Sequence, residues 1–268
     1  MRNLANRVAV VTGASSGIGR ATALALAAEG MHVALAARRE DLLEEVAQEV
    51  RALGADALAV PTDVTDDTSV WRLIHRTREQ WGRVDVVVAS AGEYVRCPVE
   101  RLTLGVVEDA LRVNLYGTLR VVLEALPHMR AQRAGHIVIV SSMDGRKGIP
   151  PDAPYVMAKF ALRGLGEILR QELGGSGVGV TVVYPGRVDT PMIEHLDVPW
   201  ASPKAPPEQI ARATVRAILR NRVEVIPGFR LRLLDMVNTL APRLADWFVR
   251  VLRLGGRERP AARTESAR

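Results

Sequence analysis

Residues 8–19 read VAVVTGASSGIG, an apolar run that passes through a glycine-rich turn into an alanine-rich helical pattern. A strand, a glycine-rich turn and a helix in this order predict a phosphate-binding unit. Gly13 permits a sharp turn, Gly17 permits a close approach of the backbone to a diphosphate, and Gly19 permits close packing of helix against strand. The first N–H groups of the helix and its positive dipole end would then face the phosphates.

The alternation of strand and helix continues over most of the chain. Short β-branched runs, several of them apolar nearly throughout, are typical of a parallel sheet buried on both faces. The predicted strands are Val8–Thr12, Val33–Ala37, Leu58–Pro61, Val84–Ala89, His136–Ser141, Val178–Tyr184 and Val223–Ile226. The predicted helices are Gly17–Glu29, Glu40–Leu53, Asp66–Trp81, Val107–Arg133, Asp152–Leu173 and Pro207–Arg220. This order predicts an α/β fold, a doubly wound, Rossmann-like parallel sheet of about seven strands with helices on both faces.

The composition is typical of a folded, non-membrane-spanning protein. Of 268 residues, 48% are hydrophobic and 25% are charged, and no apolar stretch approaches the length that spans a bilayer. Cys97 is the single cysteine and the five histidines lack metal-ligand spacing, so we expect neither a disulfide nor a metal. Residues 1–7 are polar and do not resemble a secretion signal, so we expect a cytoplasmic location.

A candidate acid/base pair stands at the start of a predicted helix. Tyr155 and Lys159 are four residues apart, so both side chains lie on one face. A free tyrosine has a pKa of about 10, and a nearby ammonium, helped by a cationic nicotinamide, would favour the phenolate. Taken alone, the pair also fits a surface tyrosine beside a solvated lysine.

Two further polar positions support a catalytic interpretation. Ser142 ends an apolar strand and would hold a substrate oxygen while the phenol exchanges its proton, with Ser141 as the competing choice. Asn114 has poor propensity for the helix in which it is predicted to lie. It indicates a bend, a bound water or a solvent-facing side chain.

These motifs resemble the short-chain dehydrogenase/reductase family over about residues 5 to 230. TGASSGIG, the Asn114 segment, Ser142, Tyr155 with Lys159, and Pro185-Gly186 stand in the family's order at similar spacings. The resemblance implies that Tyr155 is the acid/base, that Lys159 lowers its pKa and holds the nicotinamide ribose, and that Ser142 orients the substrate. It implies that Asn114 supports a water-linked proton relay. The implied cofactor-binding residues are Gly13, Ser15, Ser16, Gly17, Ile18, Gly19, Arg38, Asp63, Val64, Ala91, Gly92, Tyr155, Lys159, Pro185, Gly186, Val188 and Thr190.

The identity of the cofactor follows from the end of the second strand. An acidic residue there would bind the ribose 2′-hydroxyl of NAD, but this chain has Ala37 followed by Arg38 and Arg39. An arginine can pair with a 2′-phosphate, so we predict NADP(H), with Arg38 as the main contact and Ser15 or Ser16 assisting. One departure from the family is Ser90, which stands where asparagine is usual and has a shorter side chain with fewer hydrogen-bonding groups.

The chain is predicted to divide into three parts. Residues 1–228 form the dinucleotide-binding and catalytic domain, residues 229–254 a helical extension on or near the substrate site, and residues 255–268 a disordered tail. In the extension, apolar residues at helical spacing alternate with arginines, and the pattern breaks at Ala241-Pro242. A cover for the substrate site or a subunit contact is favoured over a membrane-surface helix pair.

The expected activity is NADP(H)-dependent interconversion of a carbonyl and an alcohol on a small molecule, with a hydrophobic substrate weakly favoured. The rival interpretations are an epimerase or dehydratase of the same family and a non-catalytic NADP(H)-binding sensor. Family members commonly form dimers or tetramers, so a homo-oligomer is expected. The C-terminal basic excess lacks interleaved aromatic residues of the kind that bind nucleic acid, so no nucleic-acid partner is expected.

Overall fold

The computed structural model describes residues 3–259, and its centre is a seven-stranded parallel sheet with the order β3-β2-β1-β4-β5-β6-β8. The strands are β1 (Val8–Thr12), β2 (His32–Ala37), β3 (Ala57–Pro61), β4 (Val86–Ala89), β5 (Gly135–Val140), β6 (Val178–Val183) and β8 (Glu224–Val225). A separate antiparallel pair consists of β7 (Leu196–Asp197) and β9 (Arg257–Glu258). The strand order reverses at β1, which lies between β2 and β4, and ligands bind at such switch points.

Helices cover both faces of the sheet. One face packs against α1 (Gly17–Ala28), α2 (Glu40–Ala52) and α7 (Pro207–Arg220), and the other against α3 (Asp67–Trp81), α5 (Thr118–Gln132) and α6 (Ala153–Glu172). The remaining helices are α4 (Leu104–Leu111), α8 (Phe229–Leu240) and α9 (Pro242–Val251). Along β1, Ala9 and Val11 join the first hydrophobic layer and Val10 the second, because successive strand side chains point to opposite faces. The predicted doubly wound parallel sheet is therefore confirmed.

The long helix predicted over Val107–Arg133 is wrong as a single element. Helix α4 begins earlier, at Leu104, and a π-helical turn over Arg112–Gly117 separates it from α5. The extra residue of such a turn shifts the register of the chain, and π-helical turns often lie at functional sites. The other predicted helices and strands match the structure to within two residues at each end.

The end of the described chain is more ordered than its composition suggests. The sequence predicts disorder over 255–268, but residues 257 and 258 form β9 and pair with β7. Contacts with a distant part of the chain explain this order. Arg259 donates its backbone N–H to the His195 carbonyl at 2.9 Å and its guanidinium to Asp197 at 2.7 Å. Residues 260–268 of the predicted tail lie outside the described residues. Within residues 3–259, no helix has the length and apolar character to cross a bilayer.

Candidate active site

The glycine-rich turn between β1 and α1 has a backbone that only glycine fits. Gly13 and Gly17 have φ angles of +67° and +54°, in the left-handed region that disfavours residues with a Cβ atom. A Cβ on Gly19 would lie 2.2 Å from the carbonyl oxygen of Gly13, and one on Gly17 would lie 2.8 Å from Thr190 Cγ2. The turn is therefore packed tightly enough that its N–H groups form a preformed cradle at the start of α1.

A cleft of about 750 Å³ extends from this turn across the carboxyl ends of the strands. Its size suits a dinucleotide, and the small residues leave backbone N–H groups accessible to phosphate oxygens. The predicted cofactor-binding residues that line the cleft are Gly13, Ser15, Ser16, Gly17, Ile18, Gly19, Arg38, Asp63, Val64, Ala91, Gly92, Tyr155, Lys159 and Thr190. Pro185, Gly186 and Val188 line a second cavity instead.

Thr12 supplies a brace that compensates for the unusual Ser90. Its hydroxyl oxygen accepts hydrogen bonds from the backbone N–H groups of Ser90 and Ala91, both at 3.1 Å. The backbone after β4 is thus tied directly to the end of β1. The local geometry consequently does not depend on a side-chain amide at position 90.

Charged side chains of both signs line the far end of the cleft, among them Arg38, Arg39, Asp63 and Glu93. Arg38 and Arg39 both line it, and Arg39 donates to the Ser15 hydroxyl at 3.3 Å. Hydrogen bonds from Thr65 lower the pKa of Asp63, and the Arg38 charge lowers it further. Burial raises the pKa of Glu93, which the Arg38 charge opposes. Arg38 therefore lies close enough to both carboxylates to act on them.

The second cavity, of about 110 Å³, adjoins the cleft and is mostly apolar. Ile18, Ser141, Tyr155, Thr190 and Met192 line both spaces, so the two are continuous. Ser142 and Met143 contribute to its wall from the end of β5, while Met192, Ile193, Leu196 and Ser202 contribute from the following loop. Trp200, in the same loop, is 80% exposed and does not line the cavity.

The C-terminal helices form part of the wall of this cavity. Leu231 and Leu234 from α8, together with Leu254, line it. A Cβ on Gly186 would lie 2.9 Å from Leu231 Cδ1, so the loop after β6 packs tightly on α8. Arg146 fixes the helix in place, because its guanidinium forms hydrogen bonds with Asp235 at 2.9 and 2.7 Å.

Asn114 lies in the π-helical turn and is fully buried, so the solvent-facing interpretation is wrong and the bend is correct. Its amide nitrogen donates to the carbonyls of Glu93 and Ala110, both at 3.0 Å, and its amide oxygen accepts from the Glu93 N–H at 3.2 Å. It thereby joins the helix to the loop after β4. A Cβ on Gly92 would lie 2.7 Å from its amide oxygen and 3.6 Å from Lys159 Nζ, which places all three side by side.

Tyr155 and Lys159 are both buried, so the interpretation as a surface tyrosine beside a solvated lysine is wrong. Lys159 Nζ lies 5.3 Å from the centre of the Tyr155 ring and donates to the Val140 carbonyl at 3.2 Å. Burial lowers the pKa of Lys159 to about 8. Burial also raises the pKa of Tyr155, and the Asp144 charge raises it further, whereas a hydrogen bond from Ser142 lowers it. Desolvation opposes the charged form of each group. The predicted lowering of the Tyr155 pKa, which also depends on a bound cationic nicotinamide, stays a prediction.

The two serines at the end of β5 have separate roles. Ser141 donates its hydroxyl to the Lys159 carbonyl at 3.0 Å and is buried, which fits its interpretation as a structural residue. Ser142 lies in the wall of the small cavity, and its hydroxyl donates to Asp144 at 3.0 Å. Both serines line the small cavity and both hydroxyls donate to an internal acceptor, so the choice of Ser142 as the residue that meets a ligand stays a prediction.

Sequence reasoning missed a buried polar network behind the small cavity. Asp152 accepts from the Tyr94 hydroxyl and from Arg96 Nε, and the Tyr94 ring meets the Tyr155 ring edge to face at 5.1 Å. Asp144 and Arg187 complete the network and also line the cavity. No local motif signals these residues, because they come from four separate loops and helices. Within residues 3–259, no group of side chains that could hold a metal ion is present.

Comparisons with known proteins agree with this geometry. The family model for short chain dehydrogenases matches residues 7–198. An uncharacterized oxidoreductase of Listeria monocytogenes is 37% identical over 193 residues, which cover 71% of this chain and 78% of that protein. An alcohol dehydrogenase from Thermococcus sibiricus complexed with 5-hydroxy-NADP matches with a TM-score of 0.73 and 31% identity, over 82% of this chain and 95% of that one. A short chain dehydrogenase/reductase from Burkholderia phymatum in complex with NAD has a TM-score of 0.82 and 26% identity, over 91% and 96%.

Proposed function

This chain belongs to the short-chain dehydrogenase/reductase family of oxidoreductases, and we propose that it interconverts a carbonyl and an alcohol with NADP(H). The observation that carries the proposal is the position of Tyr155. Its side chain lines both the long cleft and the small cavity, so a single phenol faces the spaces for cofactor and substrate. Ser142 lies beside it in the wall of the smaller space.

The residues of the site divide the work of the reaction. A nicotinamide bound in the cleft supplies or accepts the hydride. In the reducing direction, the Ser142 hydroxyl donates a hydrogen bond to the carbonyl oxygen of the substrate. The Tyr155 O–H then transfers its proton to the same oxygen as the carbon is reduced, and the raised pKa keeps this phenol protonated at neutral pH. Lys159 holds the ribose hydroxyls, and Asn114 supports the water-linked route by which the phenol regains a proton.

The arginines after β2 support NADP(H) as the cofactor. Ala37 ends the strand without a carboxylate, and both Arg38 and Arg39 line the cleft beside Ser15. A guanidinium can form two charge-assisted hydrogen bonds to a 2′-phosphate. We propose that Arg38 makes the main contact and that Arg39, already bonded to Ser15, positions that serine to assist.

The apolar wall of the small cavity supports a hydrophobic ketone or alcohol as substrate. Leu231, Leu234 and Leu254 face the same space as Tyr155. The cavity is narrow, so a small acyl or alkyl group fits better than a fused ring system. A panel of ketones, acyl thioesters, steroids and sugars, each assayed by NADPH oxidation, would identify the class.

Replacement of the phenol tests the proposed activity. Tyr155→Phe removes one oxygen and keeps the ring that packs on Tyr94, so the protein should fold and bind NADPH as the parent does. The rate of carbonyl reduction should fall by about 10²- to 10⁴-fold, the usual contribution of a positioned acid. Ser141→Ala, which alters the neighbouring structural hydroxyl, is the matched control for site disturbance. Equal turnover by Tyr155→Phe and the parent would contradict the proposal.

A homo-oligomer is proposed from exposed apolar side chains on neighbouring helical segments. Met157, Phe160 and Ile168 form a stripe along α6, and Tyr116 and Leu123 are exposed nearby in the chain before and within α5. Apolar stripes of this kind on soluble proteins commonly mark subunit contacts. Sedimentation analysis of Phe160→Ser against the parent would test it, with a smaller particle as the expected result.

Contact with an anionic membrane surface is proposed from the C-terminal helices. Exposed apolar side chains follow helical spacing on both, at Phe229, Leu233, Met236 and Leu240 of α8 and at Leu244, Trp247 and Val251 of α9. Asp235 and Asp246 pair with Arg146 and Lys147. The five arginines of residues 229–254 form no ion pair within the described part of the chain, so the segment presents excess positive charge beside an apolar face.

A further inference from the structure

Asp144 is a buried carboxylate in direct contact with the proposed substrate-orienting serine. It lies in the short helical turn Met143–Gly145 that follows Ser142 at the end of β5. Its Oδ2 atom accepts the Ser142 hydroxyl at 3.0 Å, and its own backbone N–H donates to the same Ser142 oxygen at 3.1 Å. Its Oδ1 atom is buried and has no hydrogen-bond partner among residues 3–259.

The charged and titratable groups around Asp144 come from three other parts of the fold. Asp152, Tyr155 and Lys159 face it from the start of α6, Arg187 from the loop after β6 and Tyr94 from the loop after β4. The nearby cationic side chains form hydrogen bonds with other groups. Arg187 donates to the Leu254 carbonyl, and Lys159 donates to the Val140 carbonyl. Within the described chain, Asp144 therefore forms no ion pair.

The Ser142 hydroxyl has one hydrogen, and the protonation state of Asp144 determines the direction of that hydrogen. When Asp144 is a carboxylate, a charge-assisted bond holds that hydrogen on Oδ2. When Asp144 is protonated on Oδ2, the carboxyl O–H donates to the Ser142 oxygen, and the serine hydrogen is then free to reach another acceptor. Both states keep the same contact between the two residues, with the donor and acceptor exchanged.

We propose that Asp144 is a positioning residue whose protonated form turns the Ser142 hydroxyl towards the substrate oxygen. The proposal rests on the proposed carbonyl reduction. With Asp144 protonated, Ser142 donates to the carbonyl oxygen while Tyr155 delivers the proton, and Asp144 keeps its own proton throughout. With Asp144 ionised, the substrate oxygen loses one of its two donors.

The protonation of Asp144 falls within the working pH range. Burial raises its pKa to about 7, and the neighbouring Asp152 charge contributes to the rise, although hydrogen bonding to Ser142 opposes it. The active form is therefore present below this pKa and is depleted as pH rises through it. Reduction by the parent should fall by about tenfold for each pH unit above the midpoint, until the residual rate without the Ser142 donor is reached.

Two variants test the direction of the Ser142 hydrogen. Asp144→Asn carries an amide that donates to the Ser142 oxygen at every pH, so the decline near neutral pH should disappear and reduction at pH 8.5 should exceed that of the parent. Asp152→Asn removes a like charge from the surroundings. Its amide oxygen can still accept from Arg96, and its amide nitrogen can donate to the Tyr94 hydroxyl oxygen, which reverses the original bond. In this variant, the rate of carbonyl reduction should still decline as the pH rises, but the midpoint of the decline should lie at a lower pH than in the parent. A decline that is the same in Asp144→Asn as in the parent would overturn the proposal, as would an unchanged midpoint in Asp152→Asn.

Infrared difference spectroscopy provides a readout that needs no turnover. A protonated carboxyl band should titrate near neutral pH in the NADP-bound protein and be absent from Asp144→Asn. If no carbonyl compound is reduced but this band titrates, the proposed activity fails while the protonation of Asp144 stands. If reduction occurs and the band shows Asp144 ionised at all pH values from 5 upward, the positioning role is overturned.

Discussion

The close approach of Gly19 to Gly13 predicts that a side chain at position 19 destabilises the glycine-rich turn. In Gly19→Ala, the new Cβ would lie 2.2 Å from the Gly13 carbonyl oxygen and 2.7 Å from its carbonyl carbon. Ordinary contacts between such atoms are near 3.5 Å, so the backbone must separate by roughly 1 Å. The opposing atoms belong to backbone, which cannot rotate away as a flexible side chain would. Overpacking of this kind costs about 1–3 kcal/mol.

The loss can be measured as stability and as cofactor affinity. For a domain of this size, 1 kcal/mol corresponds to a decrease of about 2–4 °C in Tm. If the turn opens to relieve the overlap, the cradle at the start of α1 is displaced. NADPH affinity, measured by fluorescence titration, should then fall by about 5- to 150-fold.

Gly105→Ala is the matched control, because its Cβ would meet nothing closer than Thr103 Oγ1 at 4.0 Å. Alanine is favoured over glycine within a helix, so this variant should match or slightly exceed the parent in Tm and bind NADPH equally well. A Gly19→Ala protein with parental Tm and parental affinity would refute the reasoning from the contact distances.

Three further predictions follow from the site and its surroundings. Arg38→Asp should exchange cofactor preference from NADPH to NADH, seen as an increase of about tenfold or more in the KM for NADPH; an unchanged ratio of the two KM values would contradict it. The double variant Leu233→Ser and Leu240→Ser should lose flotation with vesicles containing phosphatidylglycerol. Leu104→Ser, which changes an exposed leucine outside the C-terminal helices, should keep it. If both variants float like the parent, the membrane proposal fails. Burial lowers the pKa of His136 to about 4, so the unfolded chain, with a histidine pKa near 6.5, takes up this proton first as the pH falls. The free energy of unfolding should therefore decrease by roughly 2 kcal/mol between pH 7.5 and pH 5 through this residue, and urea denaturation of His136→Gln should show a correspondingly smaller pH dependence.

The parts of the fold that local sequence determines were predictable. The glycine-rich turn depends on backbone angles and close contacts that only glycine permits, and Gly13, Gly17 and Gly19 lie within seven residues of one another. The strands were identifiable because a parallel sheet buried on both faces requires nearly continuous apolar runs. Asn114 indicated an irregular helix, but its low helix propensity did not distinguish a π-helical turn from a straight helix with a solvent-facing amide.

Features that depend on distant contacts were not predictable. Asp144 lies close to Ser142 in the sequence, yet its importance comes from burial and from the proximity of Asp152 and Arg187. The order of β9 depends on its pairing with a two-residue strand about sixty residues earlier in the chain. The spacing of Tyr155 and Lys159 shows that the ammonium lies four residues from the phenol, but it does not show how thoroughly the fold removes water from both groups.

The wall formed by Leu231, Leu234 and Leu254 lies beyond residue 198, where the match to the family model ends. Every proposed catalytic residue lies before that point. Other residues around the small cavity, among them Tyr94, Ile149 and Met192, lie before it. The family model thus covers every proposed catalytic residue but only part of the cavity wall. Exchange of the C-terminal stretch with that of a relative should therefore alter the wall beside the proposed substrate while it leaves the proposed catalytic residues unchanged.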